Sequence, residues 1–180
     1  MGAVGDRTLA WAGAHCEGVI LFSCLDAKAV SRLARIVKNA ALEAGRDPSA
    51  VKVIGLAMTA CDVSEEKMLN YIVRRMNTYF MLPMIDTLVA VNRWDPKTAA
   101  TIKQAVFEQA KQGQGALRDE GVTHELDELR RFRGLYPPNW ITQFNAVSSA
   151  EDGTRYIRSF SMPVLTKSFS MAVHRPILVP

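Results

Sequence analysis

The stretch MGAVGDRTLAWAGAHCEGVILF holds the residues with the clearest chemical potential. Gly2 and Gly5 flank a short turn, and Asp6, Arg7 and Thr8 open a run that reads as a helix. Glycine lets a backbone approach a ligand closely, the first N–H groups of a helix lack partners within it, and an arginine adds positive charge. Together these residue types cradle phosphate. They also make a plain helix start, and Asp6 puts a negative charge close to where a phosphate would sit. A phosphate-binding turn ordinarily follows a strand, and none is legible ahead of it in this sequence.

Other chemistry is sparse. The three cysteines, Cys16, Cys24 and Cys61, form no CxxC pair, and the three histidines show no metal-binding spacing, so no metal site is expected. No nucleophile–base pair or paired carboxylates stand out. Cys24 either faces a pocket from a strand end or fills space as a small buried residue. Trp94, Trp140 and Tyr136 either line a substrate cleft or anchor a loop region.

A chain of 180 residues with 48% hydrophobic and 22% charged residues fits one globular domain. The net charge of +4 comes from 22 basic and 18 acidic residues. The densest basic run, Arg130-Arg131-Phe132-Arg133, sits beside Glu125, Asp127 and Glu128 and reads as a solvated helix face, not a nucleic-acid surface. No apolar stretch reaches the roughly 18 residues of a membrane span, and no signal peptide opens the chain. Scattered cysteines with no pairing pattern suit a reduced, cytoplasmic setting.

The elements that must position these residues alternate. A helix over 6–16 precedes an apolar strand at 18–22, read as buried on both faces. Asp26 caps a helix whose stripe runs Val30, Leu33, Ala34, Val37, Ala40, Ala41, ending at a left-handed Gly45. A strand over 51–60 follows. Asp62 and Glu65 resemble a capping box for a helix to about Met81. A short helix covers 84–92. Asp95 and Pro96 start another. Thr123 caps one over 124–133, YPPNW breaks the chain, and Ser149 caps a last one over 150–160. Strands alternating with helices imply a parallel sheet, with 18–22 and 51–60 adjacent. Two strands alone cannot cover their faces and edges, so the pattern reads as part of a larger α/β fold, with self-association through exposed apolar strands as the expected consequence.

The segment GDRTLAWAGAHCEGVIL resembles the pattern G-P-[KR]-x-L-x-L-A-G-x-x-x-D-G-V-I-L of luciferase-like flavin and deazaflavin oxidoreductases. Gly5, Arg7, Leu9, Ala12, Gly13, Gly18 and Val19 match it; Asp6 replaces the usual proline and Glu17 the usual aspartate. AALEAGRDPSAVKV is similar to the family's next helix end and strand. VNRWDP and AVSSAEDGTRYIRSF resemble a subgroup that uses coenzyme F420. The resemblance implies a (β/α)8 TIM-type barrel with a helical insertion, of which residues 1–160 would be the C-terminal half, from the end of strand 5 through strand 7, with the N-terminal half missing. It further implies a coenzyme F420 site, with FMN as the alternative, whose phosphate is held by Gly2, Gly5, Arg7 and Thr8. The substrate would be a small organic molecule undergoing hydride transfer or monooxygenation. The competing expectation is a truncated remnant or half-barrel subunit with no independent activity.

Residues 161–180, SMPVLTKSFSMAVHRPILVP, depart from the family. In permitted codons, Ser161–Ala172 read from the third base of Ser161 spell D-A-G-A-D-E-I-V-L-H-G, the type of strand the family carries there. A single-base frameshift near Phe160–Ser161 accounts for this, and leaves at most a short strand around Ser168–Val173 in a loosely draped tail. The gene's own bases test it: codons 161–172 are expected to spell that strand in the adjacent frame, and a gene that does not removes the frameshift.

Overall fold

The computed structural model describes residues 1–112 and 125–160, together with the backbone of 169–174. The order is β1 (Gly2–Ala3), α1 (Asp6–His15), β2 (Gly18–Leu21), α2 (Ala27–Glu43) and β3 (Lys52–Cys61). Then come α3 (Glu65–Met68), a π-helical turn at Leu69–Val73, and α4 (Arg74–Phe80), which together form one continuous helical stretch. The chain continues with α5 (Ile85–Asn92), α6 (Pro96–Gln112), α7 (Leu126–Leu135), α8 (Pro138–Gln143), β4 (Ala146–Ser148), α9 (Ala150–Arg158) and β5 (Phe169–His174).

All strand pairings among the described residues are parallel. Gly2 and Ala3 lie opposite Ile20 and Leu21. A strand therefore does precede the glycine turn, contrary to the sequence reading, because two residues are too few to show a pattern and pair only in the folded sheet. Gly18–Ile20 lie opposite Lys52–Ile54. The adjacency and direction of the two strands expected from the sequence therefore hold. β3 also pairs with β4 through Thr59–Cys61 and with β5 through Val53–Met58. The short strand expected around Ser168–Val173 is β5, one residue later. The remainder of the 161–180 tail and the Thr123 cap lie outside the described residues.

Alternation along the strands orients the sheet. Val19, Leu21, Val53 and Ala57 are buried, on the face that α1 and α2 cover. On the other face Ile54 and Leu56 are half-buried and Ile20 is 41% exposed. The strand at 18–22 is thus buried on one face and not on both, because the apolar run is covered by helices on a single side.

Local signals set several helix starts. The Asp26 carboxylate accepts from the Ala29 N–H at 2.6 Å, Asp95 from Thr98 at 2.8 Å, and Ser149 from Asp152 at 3.1 Å. Gly45, at φ 72, closes α2, with the Arg46 N–H reaching the Ala41 carbonyl at 2.9 Å. The capping box at Asp62 and Glu65 does not form. Ser64 caps α3, while Asp62 stands at φ 52 and accepts from the Ala150 N–H. YPPNW does break the chain, yet its second proline also starts α8, since a proline at the first helical position sacrifices no needed N–H.

The insertion packs around aromatic rings. Trp94 stacks on Trp140 at 4.3 Å between centroids and meets Phe144 edge-on, and Phe80 contacts both Trp94 and Tyr136. The Tyr136 hydroxyl donates to Asn77 Oδ1 at 2.8 Å. In the basic run of α7, Arg130 bonds Asp127 and Glu65, and Arg131 lies over the Phe132 ring while donating to Gln109. No helix among the described residues is long and apolar enough to cross a membrane.

α1 and α2 approach closely at Gly13. A β-carbon there would fall 2.2 Å from the Val37 carbonyl oxygen, a backbone atom that cannot rotate away. Gly13→Ala is expected to lower stability by about 1–3 kcal/mol, the usual range for overpacking a tight contact. Urea unfolding of the two chains measures it.

Candidate functional site at the strand ends

Parallel α/β sheets place ligands at the C-terminal ends of their strands. In this chain three turns occupy that edge: Val4–Gly5 after β1, Phe22–Asp26 after β2, and Asp62–Ser64 after β3. Three non-glycine residues there adopt left-handed backbone, Cys24 at φ 58, Asp62 at φ 52 and Ser148 at φ 75. Each costs on the order of 1 kcal/mol, so the surrounding structure must hold it in place.

For Cys24 the hold is a buried polar network. Asn92 Nδ2 donates to the Cys24 carbonyl at 2.7 Å. The Cys24 thiol points at Asn145 Oδ1, and Asn145 Nδ2 donates to the Ile141 carbonyl at 3.0 Å. The Tyr156 hydroxyl sits against the carbonyls of Leu25 and Phe144. Ser23 Oγ donates to the Tyr79 hydroxyl at 2.8 Å. The loop after β2 is therefore pinned by α4, α5, α9 and the segment before β4.

A cavity of about 520 Å³ opens beside the β1–α1 turn. Gly2, Gly5 and Thr8 line it; Arg7, exposed on the first turn of α1, does not. Ile20, Phe22 and Leu56 form an apolar wall from the sheet. The remaining wall is α5, through Met84 and Thr87, which no local sequence signal had marked. Gly5 is the N-cap of α1 and supplies no side-chain cap, so the first N–H groups of the helix keep their donor capacity. A β-carbon at Gly5 would meet only Thr87 Cγ2, at 4.0 Å, and one at Gly2 nothing within 4 Å. Polar donors at one edge and an apolar wall beside them fit a phosphate-bearing ring compound; the Asp6 carboxylate in the same first turn is the one unfavourable charge.

The family model described as luciferase-like monooxygenase matches residues 1–134. The chain belongs to the luciferase-like monooxygenase family. Among solved structures, the coenzyme F420 dependent tetrahydromethanopterin reductase from Methanopyrus kandleri superposes with a TM-score of 0.65 at 18% identity, over 96% of this chain and 43% of that one. An F420-dependent secondary alcohol dehydrogenase, in complex with an F420–acetone adduct, superposes with a TM-score of 0.53 at 12% identity, over 96% of this chain and 41% of that one. No curated protein is significantly similar. The fold is accordingly a part of the family's α/β barrel, and the chain spans less than half the length of these solved structures.

Within this family member, the aromatic residues singled out from the sequence divide. Tyr136 and Trp140 are buried in the insertion's ring cluster, and Trp94 joins that cluster while also lining a second cavity, between α5 and α6. None of the three lines the cavity at the β1–α1 turn. Cys24 is a fully buried residue at a strand end, and burial pushes its thiol far above the usual range. Burial, followed by the nearby Asp62 carboxylate, also raises the Cys61 thiol. Thiolate is the reactive form, so Cys24 is no nucleophile. Iodoacetamide at pH 8 is expected to modify partly exposed Cys16 first and Cys61 more slowly, and to leave Cys24 intact until the chain unfolds; peptide mass mapping reads the order.

Proposed function

We propose that this chain forms the phosphate-holding side of a coenzyme F420 site in an oxidoreductase acting on a small organic substrate. The observation that carries the reading is the cavity that joins the β1–α1 glycines and the uncapped N-terminus of α1 to an apolar wall. Gly2 and Gly5 would let the backbone approach the cofactor. The first-turn N–H groups and the Thr8 hydroxyl would hold its phosphate, and Arg7 would offset the charge that Asp6 opposes. Ile20, Phe22, Leu56 and Met84 would exclude water beside a flat ring. The bound deazaflavin supplies hydride; the protein's part is to position it. The F420 dependence of the two solved relatives supports this cofactor over FMN.

The full reaction needs further strand ends of a barrel, so steady turnover is not expected from this chain by itself. The exposed Ile20 and half-buried Leu56 on the sheet's open face support self-association of the isolated chain.

The test is a fluorescence titration with coenzyme F420 and, separately, FMN. Weak, saturable binding is expected, with F420 preferred. Thr8→Val, which removes the one side-chain hydroxyl of the first turn that lines the cavity, should weaken it about three- to tenfold, the range for a lost hydrogen bond. Absence of saturable binding, or a Thr8→Val chain that binds as well as the parent, overturns the reading.

A further inference from the structure

A second cavity, of about 620 Å³, lies between α5 and the start of α6, with none of the strand-end residues in its lining. Its walls are apolar, with Ile85, Val89, Trp94 and Ala99 among them. Three charged residues stand along it: Asp86, Arg93 and Lys103. Lys103 Nζ lies 3.2 Å from Asp86 Oδ1, so those two charges offset one another. Arg93 is exposed and has no carboxylate partner among the described residues. The cavity therefore carries one uncompensated positive charge beside an apolar surface.

The backbone at Arg93 adds a second observation. Arg93 ends α5 in the left-handed region, at φ 55, where glycine or asparagine is the residue at ease. Its N–H bonds the Ala90 carbonyl and that of Trp94 bonds Val89, so the helix closes through backbone groups that any residue supplies. Among the described residues the guanidinium makes no hydrogen bond or ion pair, and it stands where the backbone favours glycine. Trp94, in the same lining, has a buried indole N–H with no acceptor among the described residues.

We propose that this cavity binds a small amphipathic monocarboxylate, with its apolar body against Val89, Trp94 and Ala99 and its carboxylate on Arg93. One carboxylate matches the net single positive charge of the three groups, and the planar guanidinium takes a carboxylate through two parallel hydrogen bonds. The volume lies within the range of small-molecule sites. The site is separate from the cofactor reading and stands or falls without it.

The experiment follows tryptophan emission while the full chain is titrated with octanoate and, in parallel, with 1-octanol. Trp94 and Trp140, stacked on each other, report on the cavity wall. Octanoate is expected to saturate the signal and to bind at least tenfold more tightly than octanol. Arg93→Gly removes the cation while placing at φ 55 the residue that conformation favours. It should melt no lower than the parent and lose the preference for octanoate. Arg93→Asn, also tolerant of this backbone, should behave the same way. Ala100→Phe, filling the cavity from an exposed lining position, should weaken both ligands. A signal that does not saturate, equal affinity for the two ligands, or a preference that survives both Arg93 variants overturns the proposal.

Discussion

The structure depends on parallel hydrogen bonding to β3. That ten-residue strand pairs with β2, β4 and β5, and β1 reaches it through β2. A parallel pair cannot be closed by a tight turn, so each connection must cross the sheet through a helix. α1 and α2 are the first two of those crossings, and both lie on the face where Val19, Leu21, Val53 and Ala57 are buried. The same constraint makes all the strands run toward one edge. Their ends, and the turns that leave them, are gathered there whatever residues they carry.

What those turns carry is costly backbone. Cys24, Asp62 and Ser148 are held in left-handed conformations by contacts from distant parts of the chain. Asn92 fixes the Cys24 carbonyl, and Asp62 accepts from the first N–H of α9. Gly153 sits in α9 where a β-carbon would fall 2.4 Å from the Cys61 sulfur, so α9 packs directly on the end of β3. The strand-end edge is thus a rigid frame. The cavity beside the β1–α1 turn borrows that rigidity on the sheet side and takes its remaining wall from α5.

Lys38 shows how the outer layer is secured. It lies within the buried stripe of α2, and its ammonium donates to the Pro48 and Val51 carbonyls at 2.7 and 2.5 Å. A buried cation needs such partners. They tie the turn between α2 and β3 to the helix before it, and burial lowers the lysine's affinity for its proton.

The sequence alone determined what local physics controls. Asp26, Asp95 and Ser149 cap helices because each side chain reaches an N–H three residues on, and Gly45 ends α2 because only glycine enters φ 72 without strain. The apolar stripe of α2 was legible as a period of 3.6, and the strand at 51–60 as an apolar run. The order of the luciferase-like motifs carried the fold, and it marked Gly2, Gly5 and Thr8, which the structure brings to one cavity. Tertiary structure decided the rest. The three-residue β4 is too short to have a period and exists through its pairing with Thr59–Cys61. Ser64 displaced Asp62 as the cap of α3 because Asp62 is engaged by a residue 88 positions away. Met84 and Thr87 became walls opposite Gly5 only when α5 folded back over the β1–α1 turn, and Arg7, close to those glycines in sequence, was turned away from the cavity by the pitch of its own helix. Contacts between residues far apart in the chain have no local signature, and it is such contacts that shape the site.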